Sequence, residues 1–273
     1  MPTHPGRPWW TVPVPHDEIL RAIRDSARTD PAMYGDSFAD VYDEWYRTLG
    51  DSDFVDAVAR RLPSGGARVL ELGVGTGRLV RELRDRRRPH VDRVTGIDAS
   101  EAMLSRARDS GVHGFVDLCH GDFSADLPAG PFDLVFVGYN TLFNLADGDA
   151  IARCMSLVAR RLAPGGAFMV DAVIPSGGSV EEHVEVRTMA NGDVVRSVSI
   201  HDPTSRTVTG YFAPLHDGHE SAVRRWSVHY LPPDELDRSA EAAGLVLESR
   251  WADGDGSEFT HESSRHVSTY AKR

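Results

Sequence analysis

Three acidic residues at the ends of apolar runs mark where this chain can do chemistry. Glu71 precedes Gly73-Val-Gly-Thr-Gly77, Asp98 closes Val94-Thr-Gly-Ile-Asp, and Asp122 follows His120-Gly. Each apolar run reads as a buried strand of a parallel sheet, and ligands of such sheets bind beyond the carboxyl ends of the strands. Glycines at 73, 75 and 77 let the backbone turn sharply and approach a ligand closely, because each lacks a Cβ. The spacing is G-x-G-x-G and not the G-x-G-x-x-G of dinucleotide binders. No lysine stands near the turn, so a phosphate cradle is disfavoured. Carboxylates at the first two strand ends suit hydroxyls and an ammonium group. Asp122 suits an exocyclic amine, with Met103 and Phe123 placed to sandwich a flat ring.

The elements that must position these groups alternate. Strand 67–72 leads to helix 77–87, strand 93–97 to helix 100–109, strand 115–119 to Asp122, and strand 132–137 to Gly138-Tyr139-Asn140. Helix 148–162 and strand 167–173 close this series. Apolar strands alternating with amphipathic helices predict a sheet covered on both faces. Before it, residues 17–27 and a stretch from Asp36 or Ser37 carrying Phe38, Val41, Tyr42, Trp45 and Tyr46 read as helices, and 52–62 as a third. The proline-rich residues 1–15 read as a loose arm, anchored by Trp9 and Trp10. After Pro175 the period changes to two over 182–190, 193–201, 206–214 and 222–231, with turn signals between, which predicts an antiparallel meander. A helix to about Ala243 and strands 245–251 and 265–271 follow.

Composition narrows the function classes. Net charge is −11 and no basic cluster is long enough to track many phosphates, which argues against nucleic acid. Hydrophobic residues make up 41% and no stretch is long enough to span a membrane, nor is the N-terminus built as a signal peptide. Cys119 and Cys154 read as buried thiols of a cytoplasmic protein. A metal pair at His216 and His219 is disfavoured against a hairpin turn.

Taken together, Val69-Leu-Glu-Leu-Gly-Val-Gly-Thr-Gly77, Gly96-Ile-Asp98-Ala-Ser, Gly121-Asp122-Phe, Phe132-Asp133-Leu-Val and Leu162-Ala-Pro-Gly-Gly166 resemble the successive signatures of class I S-adenosylmethionine-dependent methyltransferases. The resemblance implies an α/β fold: a Rossmann-like, seven-stranded, mostly parallel sheet with helices on both faces. To this the pattern adds an N-terminal helical lid and an antiparallel β-meander insertion. The expected divisions are 1–62 for arm and lid, 63–175 for the cofactor-binding core, 176–231 for the insertion and 232–273 for the last core elements. The resemblance puts the glycine turn against the methionine part of S-adenosyl-L-methionine, Asp98 on the ribose hydroxyls and Asp122 on the adenine amine. The expected cofactor contacts are Tyr34, Tyr42, Glu71, Gly73, Gly75, Gly77, Asp98, Ala99, Met103, Asp122, Phe123 and Tyr139, with S-adenosyl-L-homocysteine as product.

A narrower likeness joins Met33-Tyr-Gly-Asp-Ser-Phe-Ala-Asp-Val-Tyr-Asp43 and the meander to antibiotic amino-sugar N-methyltransferases. In that group a tyrosine matching Tyr42 helps close the cofactor site. A histidine after the fourth strand lies near the acceptor amine there; its position holds Asn144 here. The expected acceptor is a small molecule, held by Tyr46, Asn140, Phe143, Trp226, His229 and Tyr230, with Tyr42, Asn144 and His183 as the catalytic candidates. An amine nitrogen leads; a hydroxyl or carboxylate oxygen is the alternative, the hydroxyl needing a base such as His183. A cofactor-binding regulatory or assembly protein is the non-enzymatic alternative. A homodimer through the meander is open.

Overall fold

The computed structural model describes residues 21–23, 25, 30–47, 52–90, 92–175, 177–216, 219–220 and 223–272. The arm with Trp9 and Trp10, and most of the expected 17–27 helix, lie outside these residues, as do the side chains of His216 and His219. Within them the central sheet has seven strands in the order β11-β12-β5-β4-β1-β2-β3. They are β1 (Arg68–Leu72), β2 (Arg93–Asp98), β3 (Val116–His120), β4 (Phe132–Val137), β5 (Leu162–Val173), β11 (Leu245–Trp251) and β12 (Arg265–Lys272). Strands β1 to β5 pair in parallel, and β12 runs antiparallel between β5 and β11.

Alternation along the strands feeds two cores. Val69 of β1 and Leu134 of β4 join the cluster under α3 (Ser52–Arg61), α4 (Arg78–Arg87) and α5 (Glu101–Asp109). Leu70, Leu72, Val135 and Val137 join the opposite cluster under α6 (Gly148–Arg161) and α7 (Pro233–Ala242). Period two in the sequence thus becomes burial on both faces. Strand order reverses between β1 and β4, so the crevice of the sheet opens beyond their carboxyl ends.

The meander is a second sheet in the order β10-β8-β7-β6, with β9 (His219–Glu220) attached to β8. Its strands are β6 (Glu181–Thr188), β7 (Val194–Asp202), β8 (Thr207–His216) and β10 (Arg224–His229). The expected single lid helix is two short ones, α1 (Met33–Phe38) and α2 (Tyr42–Trp45). Asp36 and Ser37 lie inside α1 and do not cap a helix, because their side chains are committed elsewhere: Asp36 accepts from Ser100 Oγ at 2.6 Å and Ser37 Oγ accepts from Arg225 N at 2.7 Å. Strand β5 begins at Leu162, earlier than the sequence pattern suggests, since Leu162 already pairs with Phe132 ahead of a register shift. Cys154 is buried and Cys119 only half-buried; both are free thiols.

Two buried polar groups hold the carboxyl-end side of this sheet and its far edge. Asp171 of β5 is 2% exposed. Arg265 of β12 forks onto it with Nε and Nη2 at 2.6 and 2.9 Å, and the backbone N–H of Tyr139 donates to it at 3.0 Å. His266 is fully buried, with Nδ1 against Ser268 Oγ at 2.8 Å and Nε2 unpartnered. Burial, helped by the Arg250 charge, lowers its pKa to about 3.

Two outcomes follow for stability. Arg265→Ala strands a buried carboxylate, and urea unfolding is expected to show a loss of about 3 kcal/mol; a loss under about 1 kcal/mol contradicts the account of Asp171. An unfolded chain protonates histidine near pH 6.5, whereas folded His266 does so only near pH 3. Its contribution is therefore full above pH 6.5 and drains as the pH falls, at up to about 1.4 kcal/mol per unit. His266→Leu should make the acid limb of stability shallower by one proton; an unchanged slope refutes the assignment.

Candidate functional site

The glycine turn after β1 folds back onto β2: Gly73 N and Val74 N both donate to Ile97 O, at 2.8 and 3.0 Å. Gly73, Gly75 and Gly77 have φ of +68°, +55° and +84°, a region that favours glycine. The three differ in what surrounds them. A Cβ on Gly73 would strike the Thr141 methyl, and one on Gly77 would lie 2.7 Å from Val112. A Cβ on Gly75 would meet nothing within 4 Å. Gly75 is therefore where the backbone borders open space.

Asp98 ties this turn to the next helix. Its Oδ2 accepts from Gly75 N and its Oδ1 from Ser100 N, both at 2.8 Å. Ser100 in turn caps α5, its Oγ accepting from Met103 N at 3.2 Å. Burial first, and Asp36 nearby, raise the Asp98 pKa against those bonds. Glu71 lies beneath the turn, 2% exposed, with Oε2 unpartnered. Burial and then the Asp98 charge push its pKa well up.

Over the turn lies a cavity of about 220 Å³. The lid supplies Tyr34, Gly35 and Tyr42, the strand ends supply Gly73, Gly75, Asp98 and Ala99, and Met103, Asp122, Phe123 and Asn144 complete the expected part of the wall. Asp122 accepts from Ser124 N at 2.7 Å and from Ser124 Oγ at 3.1 Å, which fixes its carboxylate in the loop after β3. The chemistry of this wall favours a ligand rich in hydroxyl and amine donors with a flat apolar ring. Arg153 of α6, which the sequence did not single out, brings a cation to the rim.

A second cavity of about 260 Å³ adjoins the first, and Tyr34, Tyr42, Thr141 and Asn144 line both. Tyr46, Asn140 and Trp226 belong to the second, with Phe212, Val173, Val208 and Val228; Tyr139, expected against the cofactor, lines this second cavity and not the first. Tyr139 and Asn140 take left-handed φ of +53° and +64°, and Asn140 Oδ1 accepts from Val173 N at 2.7 Å. Burial raises the pKa of Tyr34, Tyr42, Tyr46 and Tyr139, so each phenol stays protonated at neutral pH. Tyr34 and Tyr46 act on each other's ionisation, and the nearby Arg78 charge partly offsets the effect of burial on Tyr42. Among the described residues, this wall holds neither carboxylate nor imidazole nor any cation.

Several expected residues stand elsewhere. Glu71 and Gly77 line neither cavity: the first is sealed under the turn and the second packs on Val112. Phe143 has no exposed surface and fills the core beside α6. Tyr230 is 8% exposed, and its hydroxyl is hydrogen-bonded with His201 Nε2 at 2.9 Å. His183 is on β6, the outermost strand, with its side chain 66% exposed and paired with Glu185 at 3.5 Å, so it is no base for either cavity. His229 faces a third, polar cavity with Asp147, Asp202 and Ser227, because neighbours along β10 alternate sides. Trp45 is core, its Nε1 donating to Asp193 at 2.9 Å. Phe212 carried no motif; it is findable only once β8 is set beside β10, where it pairs with Arg224 and its ring stacks on Trp226. Among the described residues no group of His, Cys, Asp and Glu is arranged to hold a metal, and no helix is long and apolar enough to cross a membrane.

Known proteins agree with this geometry. The family model of the methyltransferase domain matches residues 69–166. The cypemycin N-terminal methyltransferase of a Streptomyces species is 29% identical over 149 residues, which is 54% of this chain and 59% of that protein. The chain thus spans under two thirds of the length of that curated relative. The structure of the CcbJ methyltransferase of Streptomyces caelestis is 32% identical, with a TM-score of 0.79, covering 89% of this chain and 100% of that one. DesVI of Streptomyces venezuelae, at 24% identity and a TM-score of 0.62 over 86% of this chain and 98% of that one, shares the fold. With a matched family model across its glycine turn and a full-length structural relative above 30% identity, this chain belongs to the S-adenosylmethionine-dependent methyltransferases.

Proposed function

We propose that the chain methylates an amine nitrogen of a small molecule in natural-product biosynthesis, with S-adenosyl-L-methionine in the first cavity and the acceptor in the second. One observation carries the choice of nitrogen: the described wall of the second cavity holds no group able to act as a base at neutral pH. A neutral amine attacks with its own lone pair, whereas a hydroxyl must lose its proton to a base within hydrogen-bond reach. The name of the cypemycin relative, which specifies an N-terminal methyltransferase, points the same way. Free thiols at Cys119 and Cys154 suit a reducing compartment, hence the cytoplasm.

The residues fit the cofactor on grounds of their own. Gly75 leaves open a space that any side chain would enter, and Asp98 and Asp122 bring carboxylates to the wall of the same cavity. In this reading Asp98 and Asp122 take ribose hydroxyls and the adenine amine, Met103 and Phe123 hold the ring, and Gly73, Gly75 and Ala99 approach through backbone. When bound, the sulfonium supplies an already activated methyl group. The protein then orients and excludes water. Tyr34 and Tyr42 present neutral aromatic faces where the two cavities join, a surface that attracts a cation. Asn144 stands at the same junction and is proposed to accept an amine N–H, turning the lone pair toward the methyl carbon. Tyr46, Tyr139, Asn140 and Trp226 hold the rest of the acceptor. Attack forms the N–C bond as the S–C bond breaks, and the new ammonium gives its proton to water.

Two outcomes test this. The rate at limiting acceptor should rise with pH along the pKa of the acceptor amine itself, and the profile should move when an acceptor of different pKa is used. A fixed pKa near 6 to 7 that ignores the acceptor would mean a protein base, and oxygen chemistry. Gly75→Ala should cost only about 1 kcal/mol of stability yet weaken S-adenosylhomocysteine binding by tenfold or more, on the order of 1.4 kcal/mol. Gly77→Ala should do the reverse, losing stability through Val112. Equal effects on binding, by calorimetry, would contradict the separate roles.

A further inference from the structure

The lid stands between two bodies. Toward the central sheet its ties are single hydrogen bonds: Ser100 Oγ to Asp36 at 2.6 Å, Thr76 Oγ1 to Asp43 at 2.5 Å and Arg106 Nη2 to Asp40 O at 3.1 Å. Toward the meander they are more numerous and more directional. Arg224 of β10 grips both carboxylate oxygens of Asp40, at 2.5 and 2.9 Å, and donates to Ser37 O at 2.8 Å. Its guanidinium lies 5.3 Å from the centre of the Trp45 ring, and its side chain is only 15% exposed. Arg225 N, Asp193, Ala190 O and Asn191 add bonds to Ser37, Trp45, Arg47 and Glu44. The Arg224 hydrogen bond is the main cause of a lowered Asp40 pKa, so the pair is charged at neutral pH. A planar fork on a carboxylate fixes orientation as well as distance.

Neither Arg224 nor Asp40 lines the cofactor cavity or the acceptor cavity. The lid they hold does, through Tyr34, Gly35 and Tyr42. The lid covers part of that cavity, and it makes more hydrogen bonds to the meander than to the core. We propose that Arg224 is a positioning residue for the cofactor: through Asp40 it keeps the lid tyrosines over the first cavity, so the acceptor-side sheet governs cofactor retention. This rests on the first cavity being the cofactor's, as proposed above.

The probe is S-adenosylhomocysteine alone, so no acceptor is needed. Full-length protein is loaded, and its dissociation is followed by stopped-flow after mixing with a displacing excess of S-adenosylmethionine. Arg224→Ala and Arg224→Lys should both raise the dissociation rate about tenfold, since lysine keeps the charge but lacks the fork. The exchanged pair Asp40→Arg with Arg224→Asp should bring the rate back toward wild type. A lower melting temperature with an unchanged rate would assign Arg224 a merely structural role and overturn the proposal. A raised rate that the exchange fails to lower overturns it as well. If Arg224→Ala does not fold, Asp40→Asn is read in the same way. Wild-type protein that fails to bind S-adenosylhomocysteine would instead bring down the reading of the first cavity, and this proposal with it.

Discussion

A single buried carboxylate sets the geometry on which both cavities depend. Asp171 is held on one side by the Arg265 fork and on the other by the Tyr139 N–H. An unpaired charge there would be prohibitive, so the turn that supplies the N–H is held in place. That turn carries Tyr139 and Asn140 into left-handed backbone, and Asn140 closes it by accepting from Val173 N. Thr141 then falls against Gly73, close enough that no side chain fits between them. The end of β4 and the end of β1 are thereby locked together at the switch point of the sheet.

Charge is distributed unevenly across the crevice that results. Glu71, Asp98 and Asp122 gather on the side of the glycine turn, where Asp98 is bound by backbone N–H groups and Glu71 is left one bond short. Across Tyr34 and Tyr42 the wall becomes neutral, made of phenols, an indole, amides and aliphatic groups. A low-dielectric, uncharged chamber beside a carboxylate-lined one is well matched to bringing a cationic donor next to a neutral nucleophile. Burial also keeps the four phenols protonated, so the neutral side remains neutral through the physiological range.

The sheet and the cofactor side of the site were legible because local pattern dictates them. Period-two burial in Val69 to Leu72, the glycine spacing, and Asp98 and Asp122 at strand ends are all short-range features, and the strands appear where that pattern runs. The failures have a common physical origin. Phe143 and Tyr230 share their types with true wall residues, and only three-dimensional packing sends them inward. His183 looked near the sheet by sequence distance, yet the meander carries β6 to its far edge. Asp171 and Arg265, ninety-four residues apart, left no local sign at all. Nor did the division of the lid into two short helices, or the bonds that Asp36 and Ser37 make to partners far along the chain.

The side-to-side alternation of β8 and β10 has a bearing on how such a protein diversifies. Val208, Phe212, Trp226 and Val228 face the second cavity, while Thr207, Ser227 and His229 face away from it. Neither strand contributes to the pocket over the glycine turn. Val208 and Val228 pack against the core of the central sheet, so replacing them remodels the second chamber, whereas Phe212 and Trp226 also pack with Phe38 and Trp45 of the lid and carry a change across to the first. Two neighbouring strands thus divide one face into positions that can vary alone and positions that tie the two chambers together.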